Sequence, residues 1–153
     1  MLNAETHEAL ASGTEVMNGL LRHALSAVET YTHAIGLIED PTAIIELQKI
    51  RDGHRRAERE LRECVVLMGA VPSQNPGPWP AFSATAAPGT KAVGCASVLA
   101  ALRQCEEYAI AVYEDAVNHE DIPPDGYRLI SGELLPEVRK HVDELNRLLG
   151  GTC

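Results

Sequence analysis

The stretch GAVPSQNPGPWPAFSATAAPGTKAVGCA, residues 69–96, carries five prolines and separates two pairs of helix-periodic segments. Proline lacks a backbone donor and fixes its own φ, so this stretch can be neither a helix interior nor a central strand. A connection of this length inside a compact domain needs a geometric reason. One exists if the helices on either side run parallel. The chain must then travel a whole helix, roughly 30 Å for 20 residues, and extended backbone covers this at about 3.3 Å per residue. The pattern therefore predicts a crossover, with Trp79 and Phe82 pinning it to the surface. The alternative, a disordered linker, fits poorly with two aromatic residues.

The segments on either side read as four helices. The first spans Thr14 to Ile38, with Leu21, Ala24, Val28, Tyr31 and Ile35 on one side, and Gly13 is expected to break it from a shorter piece before. Asp40-Pro41 reads as a cap followed by proline at the first helical position. The second helix then runs to Met68, its stripe formed by Leu47, Ile50, His54, Ala57, Leu61 and Val65. The third covers Ser97 to Asn118, through Leu99, Leu102, Glu106, Ala109, Tyr113 and Ala116. The fourth starts at Asp125 and reaches Leu149, its stripe being Leu134, Val138, His141, Leu145 and Leu148, with Pro136 expected to kink it. No segment alternates with period two. The expected fold is all-α, a four-helix bundle with a long crossover between helices 2 and 3, forming a single domain over residues 1–153.

The net charge of −9 and the interleaving of acids even in RRAERELR argue against a nucleic-acid partner. No apolar run approaches the roughly 20 residues of a membrane span. MLNAETHEALASG lacks a basic region followed by an apolar one, which sets a cytoplasmic location as the expectation. Cys64, Cys95, Cys105 and Cys153 form no C-x-x-C pair, removing zinc-knuckle and thioredoxin readings. Cys64 and Cys105 read as small apolar helix residues, Cys95 and Cys153 as loop and tail. His7, His23, His33 and His119 are expected on exposed faces.

Three ionisable residues interrupt the apolar seams: His54, Glu106 and His141, each near the middle of its helix. Glu29 lies at the seam edge of the first helix, about 100° around from Val28. Buried ionisable groups are costly unless paired or metal-bound. Two solutions fit. Imidazoles and carboxylates converge on an ion such as iron, manganese or zinc, or they hydrogen-bond one another in a dry core.

The segments MNGLLRHALSAVETYTHAIG and LAALRQCEEYAIAVYEDAV, the central His54 and a last helix with His141 resemble the ferritin-like superfamily. More narrowly, they resemble a bacterial ferritin-like four-helix-bundle family of unknown function. The resemblance covers nearly the whole chain. Di-iron members of the superfamily take single glutamates from two helices and a Glu-x-x-His motif from each of the others. Position by position, Glu29 and Glu106 match the single glutamates, with Glu107 a rival for the latter, and His54 and His141 match the histidines. The residues three before those histidines are Arg51 and Val138, so both expected carboxylates are missing. Arg51 adds a permanent cation, expected to stand in for lost metal by pairing with Glu29 or Glu106. Glu58 and Glu137, each four residues from a histidine, are candidate partners for His54 and His141.

The resemblance thus implies a ferritin-like bundle whose carboxylate–histidine core site is degenerate and not a competent di-iron oxidase; no catalytic residue is assigned. One alternative is a protein that binds iron, manganese or zinc in metal storage or stress response. The other is a structural module acting as a homodimer through a wide first-helix face that includes Leu20 and Leu25.

Overall fold

The structure, a computed structural model, describes residues 3–77 and 94–151. Among these there is no strand. The elements are α1 (Ala4–Ile35), α2 (Pro41–Leu67), α3 (Cys95–Val117), α4 (Pro124–Leu129), a π-helical turn (Ile130–Leu134) and α5 (Leu135–Gly151). The last three follow one another without a break and act as one rod, so the expected four-helix bundle is what forms.

Local chemistry sets the ends. Asn3 caps α1 by accepting from the Thr6 amide, and Asp40 caps α2 by accepting from the amides of Thr42 and Ala43, with Pro41 in the first turn. Beyond α2, Gly69 takes φ +82°, which lets the Ala70 amide fold back onto the Val65 carbonyl at 3.2 Å.

The buried residues fall into two apolar clusters, and the order in which each helix visits them gives the topology. α2 passes from Leu47 and Ile50 in one cluster to Leu61 and Val65 in the other, and α3 runs the same way, from Leu99 and Leu102 to Ala109 and Tyr113. α1 and α5 run oppositely, from Leu21 to Ala34 and from Val138 to Leu145. Thus α2 and α3 are parallel, as the proline-rich connection requires. Its described part descends α1 one turn at a time. Asn18 Oδ1 accepts from the Ser73 amide, the Arg22 carbonyl accepts from the Gly77 amide, and the Ser26 hydroxyl donates to the Gly77 carbonyl. Trp79 and Phe82 lie outside the described residues, as does Cys153.

Several expectations change. Gly13 does not break α1. It lies inside the helix, and a β-carbon there would stand 2.3 Å from the Asp121 carbonyl oxygen, so its role is to admit the loop before α4. The irregularity near Pro136 is the π-helical turn just before it: proline offers no N–H to the preceding turn and crowds a carbonyl there, and the wider turn relieves both. Cys95 is the first residue of α3 rather than part of a loop, and it is disulfide-bonded, while Cys64 and Cys105 lie within α2 and α3. Leu20 is buried and Leu25 packs against the core. No helix among the described residues is long and apolar enough to cross a membrane.

Candidate metal centre

His54, Glu106 and His141 meet in a polar layer between the two apolar clusters. They come from α2, α3 and α5, are 1%, 0% and 5% exposed, and each offers one ligand atom within 4.8 Å of the others. An ionised carboxylate can only accept, so each imidazole nitrogen facing Glu106 carries the proton. His54 Nε2 donates to Glu106 Oε1 at 2.7 Å, and His141 Nδ1 faces Glu106 Oε2 at 3.4 Å. Tyr31 Oη donates to the same Oε1 at 2.6 Å. Burial alone would raise the Glu106 carboxyl. The field of His54 and the hydrogen bonds from His141 and His54 outweigh it and hold the group far below the usual carboxylate range. Tyr31 moves the other way: burial, then the Glu106 charge, push its hydroxyl well above the usual tyrosine value.

A second carboxylate stands outside this layer. Glu137 Oε1 lies 3.4 Å from His141 Nε2 and 3.4 Å from Arg56, so the expected i,i+4 partner of His141 is in place. Glu58 instead pairs with Arg62, not with His54. Gly53 makes room: a β-carbon there would be 2.9 Å from His141 Nε2 and 3.1 Å from Glu137 Oε1.

Two expected residues lie elsewhere. Glu29 is exposed and outside the cluster, because the buried face of α1 runs through Ala27, Thr30, Tyr31 and Ala34, and a residue two places from Tyr31 points nearly the other way. Glu107 is likewise exposed. Arg51 does not pair with Glu29 or Glu106. It donates to Thr32 Oγ1 at 3.3 Å, while Glu106 takes its hydrogen bonds from Tyr31 and the histidines. Val138 is buried in the apolar cluster.

Sequence reasoning missed three contributors. Tyr31 was legible only as a seam residue. His23, expected outside, is 6% exposed and packs its ring 5.9 Å from that of Tyr113; it lies four and eight residues before Ala27 and Tyr31, a spacing that marks the inner face. Burial, then the field of His54, lower its pKa to about 4 against a smaller opposing effect of Glu106. Tyr113, fully buried, leaves its hydroxyl without a hydrogen-bond partner among the described residues.

A pocket of about 290 Å³ opens beside the layer, between α2 and the rod formed by the π-helical turn and α5. His54, His141, Tyr113 and Gly53 line its inner part.

No family model matches this chain, and no curated protein does. Among solved structures it is similar to one described as a crystal structure of ferritin like, diiron-carboxylate proteins from Bacillus anthracis str. Ames. The two share 18% identity at a TM-score of 0.71, covering 97% of this chain and 99% of that one.

Proposed function

From a ferritin-like fold with one buried carboxylate between two imidazoles, we propose that this protein binds a single divalent transition-metal ion through His54, Glu106 and His141. The reading is metal holding, as in storage or stress response, rather than two-iron oxidase chemistry. A pair of iron ions does not fit the residues present. Two adjacent dications need several carboxylates to bridge and neutralise them, and among the described residues the layer holds only Glu106: Glu29 and Glu107 are exposed, and Arg51 and Val138 occupy the remaining positions.

One ion does fit, and the observation that carries this is the convergence of three buried donors from three helices within 4.8 Å. Donors bound at about 2.1 Å around a tetrahedral ion lie roughly 3.4 Å apart, so small rotations of the imidazoles suffice. Two nitrogens and a carboxylate suit iron, manganese or zinc. Glu137 beside His141 Nε2 supports the reading, since a metal-binding histidine commonly donates its second N–H to a carboxylate. The protein's contribution is to fix the ring orientations, keep Glu106 ionised and exclude bulk water.

The second reading is a metal-free polar layer, favoured by the donors from Tyr31 and both histidines that Glu106 already has. Elemental analysis after purification without chelator, followed by titration with Co²⁺, Mn²⁺ and Zn²⁺, separates the two. One ion per chain, lost in a folded Glu106→Gln variant, is expected. Uptake unchanged in that variant would overturn the assignment to the layer, and no uptake of any of the three would leave the metal-free layer.

A further inference from the structure

His141 turns Nδ1 toward Glu106 and Nε2 toward Glu137 Oε1, 3.4 Å away on the pocket side of the ring. No hydrogen-bond partner satisfies His141 Nε2, and none satisfies the Tyr113 hydroxyl; both residues are more than nine-tenths buried and both line the pocket. The remaining lining carries three carboxylates against two cations, Arg56 and Lys140. Glu60 comes from α2, Glu133 from the π-helical turn and Glu137 from α5, and burial, then the charge of Glu133, raise the Glu60 carboxyl above its usual value. The space is kept by Gly53, whose missing β-carbon would fill the gap against both Nε2 and Oε1.

We propose that this pocket is an outer site for a divalent cation, built on His141 Nε2 and Glu137, with Glu60 and Glu133 at its mouth, which an ion occupies on its way to the buried layer. The inference rests on the metal-binding reading above and deepens it. His141 divides the two sites, with Nε2 turned to the pocket and Nδ1 to Glu106. Arg56, 3.4 Å from the same Glu137 oxygen, competes with the incoming cation for that carboxylate.

The test is stopped-flow Co²⁺ uptake by the full chain, followed through visible absorption, with bound metal counted at the end. The Glu60→Gln/Glu133→Gln double variant should load roughly tenfold more slowly at low ionic strength, reach the wild-type stoichiometry, and approach the wild-type rate in high salt. Arg56→Gln should load faster than wild type, an effect that general loosening of the fold near the charged mouth would not produce in opposition to the double variant. Gly53→Ala should slow both uptake and removal by chelator. Uptake at wild-type rates in the double variant and Arg56→Gln would overturn the outer site while leaving the buried one standing. Absence of uptake by the wild type would overturn both.

Discussion

His23 makes the bundle sensitive to mild acid. Its imidazole stays neutral in the fold down to about pH 4, whereas in the unfolded chain it takes a proton near pH 6.5. Above pH 6.5 neither state carries that proton. Between the two values the unfolded chain binds a proton that the folded chain refuses, so stability falls as pH falls. The loss across the window is on the order of 3 kcal/mol. Glu106 acts in a different window: its depressed carboxyl contributes stability above about 4.5 that is lost only as pH falls toward its much lower folded value. Urea unfolding at pH 7 and pH 5 should therefore show a drop in the wild type that a His23→Gln variant largely lacks. Equal drops in the two proteins would remove His23 from this role.

At the scale of the helices, glycines that look alike in sequence have opposite roles. A β-carbon at Gly13 would meet the Asp121 carbonyl oxygen at 2.3 Å, whereas at Gly19 it meets only the far end of Arg22 at 3.7 Å. Gly13→Ala should destabilise by roughly 1–2 kcal/mol, overpacking outweighing the gain in helix propensity. Gly19→Ala should stabilise by about 0.5–1 kcal/mol. Thermal unfolding of the two variants checks both signs. Gly13 also shows why part of the fold was not legible: its reason lies in a loop far along the chain, and no local pattern encodes that contact. What local pattern does encode was readable, as in the Asp40-Pro41 helix start and the Leu134–Leu148 stripe that puts His141 inside. The candidate site divides the same way. His54, Glu106 and His141 stood out as ionisable residues in apolar seams. The choice of Tyr31 over Glu29 depends on the rotation of α1 against its neighbours, which packing sets.

For the molecule as a whole, the polar layer interrupts the apolar interior between its two clusters. It joins α2, α3 and α5, so an ion bound there would cross-link elements that apolar packing otherwise holds. Ligand linkage gives about 2.7 kcal/mol at a free-ion concentration 100 times Kd. With roughly 2–4 °C per kcal/mol for a chain of this size, Tm should rise by about 5–10 °C. The rise should vanish in His54→Ala if the ion sits in the layer; an equal rise in that variant would place the bound ion elsewhere.

The three helices that supply the layer also leave the ribosome in a fixed order. His54 emerges first, Glu106 follows 52 residues later, and His141 another 35 after that. At about 5–20 residues per second, the nascent chain spends roughly 2–7 s with its central carboxylate made but its last imidazole still to come. An ion arriving in that interval would find only a two-sided grip, so secure capture would coincide with completion of the final rod.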